Sequence, residues 1–311
     1  MTRVAAIDCG TNSIRLLIAD LGAGPGGQPV DVVRQMEVVR LGEGVDRTGR
    51  LAPAAIERTR VALAGYARRI AAEGAERVRM VATSATRDAA NKDDFVAMVQ
   101  ATLGADPEVI SGTEEAALSF AGAVAGLPGL ADPVLLTDIG GGSTELVLGD
   151  PGPRSGAVRA SFSMDVGCVR LTERRLHGDP VTDAQVDAAL EDLRIAIDEA
   201  ARTVPLTGAA AFVGVAGTVT TIAALALGLP AYDPAAIHGR AVSAAQVAEV
   251  TAGLQAMTRA QRAALPVMHP GRVDVIVGGA MVLRTLMERT GSEHVIASEH
   301  DILDGIAASL G

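Results

Sequence analysis

The chain has 311 residues, of which 49% are hydrophobic, and its 27 basic against 37 acidic residues leave a net charge of −10. That apolar fraction excludes a disordered chain, and the length allows one or two domains with substantial cores. With four Phe, two Tyr and no Trp, the acidic chain lacks the basic face and stacking rings of a general nucleic-acid binder, although a local field can still accept a polyanionic substrate.

In chain order, VAAIDCGTNSIRLLIADLG (4–22) predicts two strands joined by a Gly/Thr/Asn/Ser turn. A glycine-rich hairpin (GAGPGGQ, 22–28) leads into a third strand, VDVVRQMEVVRLGE (30–43). A helix follows, with Pro53 near its start and Gly74 as its stop. RVRMVATSATRDA (77–89) then reads as strand, turn and helix, and PEVISGTEEAALSFAGAVAGL (107–127) repeats that pattern. The predicted order to this point is βββαβαβα.

PVLLTDIGGGSTELVLGD (133–150) restarts the strand–turn–strand pattern. At an offset of 130, Asp8 meets Asp138, Gly10 meets Gly140, Ser13 meets Ser143 and Leu16 meets Leu146. Both copies read D-x-G-x-x-S-x-x-L. At an offset of 134, Val81 meets Val215 and Thr86 meets Thr220. Two signals in the same order imply an α/β protein of two lobes made by internal duplication. The Pro/Gly cluster LPGLADP (127–133) sets the expected lobes at 1–126 and 127–311. The helix Thr113–Gly126 falls at their join, and the last helix, 301–311, is free to pack back on the first lobe.

No residue between Arg202 and Asp233 is charged, which is long enough for a membrane span. Gly214, Gly217 and three threonines at its middle point instead to a buried strand, a Gly/Thr turn and a buried helix. Cys9 and Cys168 match no metal spacing and suit a reducing compartment. Asp8 arrives before any signal-peptide core, so the expectation is a cytoplasmic protein outside the membrane.

The turns GTNS (10–13) and GGGST (140–144) offer backbone N–H groups and hydroxyls, a concavity suited to phosphate. Plain tight turns are the alternative. Asp8, Asp138 and Glu145 sit at or beside them, and carboxylates next to phosphate call for a divalent cation such as Mg2+. Loop capping by Asp is the rival there. TSATRDAAN (83–91) opens a helix whose N-terminus and Arg87 would suit a phosphate. Glu114 and Glu115 begin another helix, where acidic residues ordinarily complement the dipole.

The motifs IDCGTNSIRLLI, TSATRDAAN, ISGTEEA, DIGGGSTEL, VGCVRLTE, GVAGTVTT and SEHDILDG resemble, in order and over the whole chain, those of the exopolyphosphatase/guanosine pentaphosphate phosphohydrolase (Ppx/GppA) family. That family is similar in fold to actin, the sugar kinases and the heat-shock ATPases. The resemblance implies two ribonuclease H-like (actin-like) lobes with an interlobe cleft, and hydrolysis of a terminal phosphoanhydride with Mg2+ or another divalent cation. It implies a catalytic glutamate in ISGTEEA, best matched by Glu115 with Glu114 as the alternative. It assigns metal and water to Asp138 and Glu145, with Asp8 at the matching place in the first lobe. Phosphate binding falls to Gly10, Thr11, Asn12 and Ser13, to Gly140, Gly141, Gly142, Ser143 and Thr144, and to Arg87.

Two departures bear on substrate. Longer members carry a further helical C-terminal region, and Leu303 stands where the last motif often has Arg; the expectation is an enzyme for short inorganic polyphosphate. Guanosine pentaphosphate is the rival substrate within the family. A sugar- or acetate-type kinase and a non-enzymatic, actin-like phosphate-sensing protein are the rivals outside it. A homodimer is expected from the resemblance alone.

Overall fold

A computed structural model describes residues 2–24, 29–152 and 157–311; residues 25–28 of the predicted glycine-rich hairpin lie outside them. Three strands open the chain: β1 (Thr2–Cys9), β2 (Ser13–Leu21) and β3 (Val30–Val38). They are followed by α1 (Val45–Thr48), α2 (Pro53–Glu73), β4 (Arg77–Ala82), α3 (Ser84–Arg87), α4 (Lys92–Leu103), β5 (Glu108–Val109) and α5 (Gly112–Gly126). The strand–turn–strand pattern then returns as β6 (Val134–Ile139), β7 (Thr144–Asp150) and β8 (Ala157–Met164). Next come α6 (Cys168–Arg175), α7 (Asp183–Ala200), β9 (Ala211–Val215), α8 (Ala216–Ala226), α9 (Pro234–Ile237), β10 (Ala241–Ser243), α10 (Ala244–Ala256), α11 (Arg259–Ala263), α12 (Ile276–Thr290), β11 (His294–Ala297) and α13 (Ile302–Ala308).

Two compact units result, one of Met1–Gly122 with Ile302–Gly311 and one of Ala123–Asp301. The division falls inside α5, and α13 belongs to the first unit.

The first unit's sheet has the order β3-β2-β1-β4-β5, and the second unit's has β8-β7-β6-β9-β11 with β10 added at the edge. In both, the first three strands are antiparallel neighbours and the fourth runs parallel to the first. Register shifts break the pairing of the second and third strands at Ile18/Ala19 and at Leu148/Gly149, positions that the same 130-residue offset superposes. Each unit therefore has the ribonuclease H-like arrangement, and the duplication reaches down to a bulge.

Near-continuous apolar runs, VAAI in β1 and VLL in β6, are buried on both sheet faces, as central strands covered on two sides require. In the first unit one face of β1, with Ala5, Ile7 and Cys9, packs into a core with α2 and α4 residues such as Leu63, Tyr66 and Phe95. The other face, with Val4 and Ala6, is covered by Ile302, Leu303 and Ile306 of α13. Helix α2 begins with Pro53 at its first turn and ends at Gly74 in the left-handed region (φ 69°), whose N–H donates to the Ile70 and Ala71 carbonyls. No helix of the described residues is long and apolar enough to cross a membrane. The uncharged stretch at 203–232 contains β9 and the buried α8. Here the strand passes into the helix without the expected intervening turn, through Ala216 at φ 68°.

TSATRDAAN opens a helix after β4, as expected, but a single turn, α3; a separate helix, α4, starts at Lys92. Asn91, just before α4, accepts from Leu51 N–H through its side chain and donates to the Leu51 carbonyl and Asp94. That tertiary contact anchors the segment between the two helices.

Candidate active site

In the first unit the turn between β1 and β2 closes through a Gly10 N–H to Ser13 carbonyl bond of 3.0 Å. The Thr11 carbonyl accepts from Gly42 N–H, and the Asn12 carbonyl accepts from Val39 and Arg40 N–H. The loop after β3 thus clamps the turn from one side. A 2.9 Å hydroxyl bond between Thr11 Oγ1 and Ser84 Oγ ties it to α3. The helix that TSATRDAAN opens is the single turn α3. What α3 does is place Arg87, whose Nη1 donates to Glu115 Oε2 at 3.0 Å and to the Ile110 carbonyl at 2.9 Å. No protein group among the described residues accepts from Arg87 Nε or Nη2.

Glu114 and Glu115 leave α5 in different surroundings. Glu115 is 8% exposed and held by Arg87. Glu114 is exposed and engaged by Arg79 Nη2 at 2.8 Å, which also holds Glu108. The structure therefore links the turn, α3, Arg87 and Glu115 in one contact chain, and leaves Glu114 outside it.

Asp8 lies opposite Arg15 in the β1–β2 register, and Arg15 donates from Nε and Nη2 to Asp8 Oδ2 at 2.9 and 2.7 Å. The carboxylate is buried at 5% but its charge is balanced within the protein. The expectation of a metal carboxylate did not include that partner.

The second unit repeats the frame with different chemistry. Gly140 N–H donates to the Ser143 carbonyl at 3.1 Å, the counterpart of the Gly10–Ser13 bond. The Gly140 carbonyl accepts from Cys168 N–H, and the Gly141 carbonyl from Val169 and Arg170 N–H, all in the first turn of α6. In a planar trans peptide the next N–H points away from its carbonyl, so Gly141 and Gly142 N–H are aimed away from α6. Among the described residues no protein group accepts from the N–H of Gly141, Gly142 or Ser143, although Gly142 and Ser143 are buried. The buried Thr144 Oγ1 likewise has no partner. Buried unpaired donors of this kind are what an anion satisfies.

Asp138 and Glu145 are direct cross-strand partners, so both carboxylates share one sheet face. They are 7% and 1% exposed. At the position where the first unit has Arg15, the second has a second acid. Two buried carboxylates side by side suit a hard divalent cation completed by water and substrate oxygens. No group of three or more potential ligands occurs among the described residues.

The chain is similar to known proteins over nearly its whole length. The model of the Ppx/GppA phosphatase family matches residues 17–310. The chain belongs to the Ppx/GppA phosphatase family. A relative named Exopolyphosphatase 2, from Mycobacterium tuberculosis, is 56% identical over 100% of this chain and 99% of its own length. A crystal structure of an exopolyphosphatase-like protein is 44% identical, with a TM-score of 0.94 over 100% of this chain and 98% of that one. The Aquifex aeolicus Ppx/GppA member is 30% identical with a TM-score of 0.82, covering 99% and 97%.

Two further charged side chains lie outside the residues that the motifs single out. Arg15 is one, and the 130-residue offset that pairs it with Glu145 was a signal available for it. Arg272 is the other. Its guanidinium lies where a Cβ on Gly217 would stand, overlapping Nη2 and Cζ, and Nη1 donates to Thr221 Oγ1 at 2.8 Å. Its charge bears on the Cys168 thiol, at the start of the helix that carries the second loop. Burial pushes that thiol up to about 11, and burial followed by the Asp8 charge raises Cys9 as well. Both cysteines are free and buried.

Proposed function

We propose that this protein is an exopolyphosphatase of the cytoplasm, releasing orthophosphate from the end of inorganic polyphosphate, with short chains preferred and a divalent cation such as Mg2+ required. The observation that carries the reading is the asymmetry of the two units. One has a buried, arginine-held glutamate beside a phosphate-type turn, and the other has a loop of unpaired buried donors beside two adjacent acids. The near full-length likeness to Exopolyphosphatase 2 supports the same substrate.

Glu115 is assigned as general base. It accepts a proton from the water that attacks the terminal phosphorus, while the bond from that phosphorus to the bridging oxygen breaks and its electrons stay on the shortened chain. Arg87 holds the carboxylate through Oε2 and fixes its orientation. Its Nε and Nη2 are suited to a phosphate oxygen. The N–H groups of Gly141, Gly142 and Ser143, with the Thr144 hydroxyl, are assigned to phosphate oxygens, as is the turn Gly10–Ser13. Asp138 and Glu145 would hold the cation, which when bound offsets the charge of the phosphate oxygens. Asp8, already paired with Arg15, is assigned to shaping the first turn.

The test is Glu115→Gln against Glu114→Gln, measured as orthophosphate release from a ladder of polyphosphate lengths and from guanosine pentaphosphate. We expect Glu115→Gln to lower kcat at least ~100-fold with binding retained, and Glu114→Gln to stay within about threefold of wild type, since its carboxylate is exposed and bound to Arg79. Full turnover by Glu115→Gln would remove the base assignment. Faster turnover of the guanosine nucleotide than of any polyphosphate would replace the substrate.

A further inference from the structure

We propose that Ser163 is a positioning residue for the cation site, its hydroxyl fixing the Glu145 carboxylate that, on the reading above, holds the cation. The β7–β8 register sets Ser163 directly opposite Glu145, and Ser163 Oγ–H donates to Glu145 Oε1 at 2.7 Å. An unbroken cross-strand row results, Val215–Asp138–Glu145–Ser163, over β9, β6, β7 and β8. Its side chains share one face of the sheet, where direct neighbours stand about 5 Å apart at Cβ.

The duplicated row in the first unit shows what the hydroxyl is for. There the sequence is Val81–Asp8–Arg15–Met36. The acid is balanced by Arg15, and the place of Ser163 is taken by Met36, which has no donor. The hydroxyl therefore occurs in the row that holds two acids. Adjacent like charges across a strand pair repel, and a glutamate has three torsions through which to turn away from Asp138. A hydroxyl bond to a carboxylate is short and stronger than a neutral one, so Ser163 holds Glu145 against that rotation. β8 is the edge strand of its sheet and Ser163 is half-buried; the hydroxyl nevertheless donates inward.

The test uses the full-length protein with Mn2+ as the probe, titrated by calorimetry in the absence of substrate, together with steady-state phosphate release over a range of Mg2+ concentrations. Ser163→Ala is expected to weaken Mn2+ binding about 10–100-fold, the range for residues that orient a metal ligand. It should also raise the Mg2+ concentration for half-maximal kcat by a similar factor, with KM for polyphosphate within twofold. Ser163→Thr, which keeps the hydroxyl, is expected to restore both. Wild-type Mn2+ affinity in Ser163→Ala would overturn the proposal. If the alanine variant fails to fold, Ser163→Cys and Ser163→Thr make the same comparison, and equal Mn2+ affinity in those two would overturn it. Glu145→Gln separates this from the underlying site reading. Unchanged Mn2+ binding there removes the cation assignment itself, whereas lost binding with a normal Ser163→Ala removes only the role of Ser163.

Discussion

Gly167→Ala tests whether the second loop is held in place by its seat on α6. Gly167 has φ −145° and ψ 176°, extended backbone open to any residue, so the demand for glycine here is one of space. A Cβ would stand 2.6 Å from the Gly141 carbonyl carbon and oxygen and 2.7 Å from the Gly140 oxygen. All three are backbone atoms that cannot swing aside. Restoring ordinary contact near 3.5 Å requires the loop and helix to part by roughly 0.9 Å. The three bonds from Cys168, Val169 and Arg170 N–H, now 2.9, 2.9 and 3.1 Å, would then exceed hydrogen-bonding distance. Overpacking of this kind costs about 1–3 kcal/mol, and at roughly 2–4 °C per kcal/mol the middle of that range is a fall in Tm of about 4–8 °C. A displacement near 1 Å at a reacting centre costs on the order of 100-fold in rate, and we expect that loss in kcat/KM. The assay is orthophosphate release from short polyphosphate with Mg2+, alongside a thermal melt. A variant with kcat/KM within threefold of wild type and an unchanged Tm would refute the view that α6 positions the loop.

Gly217→Ala places a methyl group on the Arg272 guanidinium, a flexible side-chain end rather than backbone. Tm should hold to within about 2 °C, any change in KM for polyphosphate should be the same in Arg272→Ala, and the double variant should add nothing further; additive effects would separate Arg272 from Gly217. The Cys168 thiol, pushed up to about 11 by burial, is about one part in a thousand thiolate at pH 8. A thiol-titrating reagent should therefore count no cysteine in the native protein and two after unfolding. A thiol that reacts within minutes before unfolding would contradict the burial of both.

The parts of this fold legible in the sequence are those fixed by local chemistry and by repetition. Apolar runs marked the strands, Pro53 and Gly74 marked α2, and the 130-residue offset marked a duplication that the structure carries down to matched turn bonds and matched bulges. The parts that were not legible depend on partners far along the chain. The segment between α3 and α4 is anchored by Asn91 binding the backbone of Leu51, 40 residues earlier. Arg87 meets Glu115 across 28 residues, which no helical spacing foretells. That contact separates Glu115 from Glu114, two adjacent acids that local pattern treats alike.

Duplication also limits what a motif can say. The pattern D-x-G-x-x-S-x-x-L describes a backbone frame, and both units have it. It is silent on the residue seven places after the Asp, which pairing across the turn sets directly against that carboxylate. Arginine there neutralises the acid; glutamate there sets a second carboxylate beside the first. Asp8 and Asp138 have the same backbone position in the two units, and their chemistry differs because Arg15 and Glu145 do. The local chemistry of each half therefore follows from the cross-strand row rather than from the motif that both share.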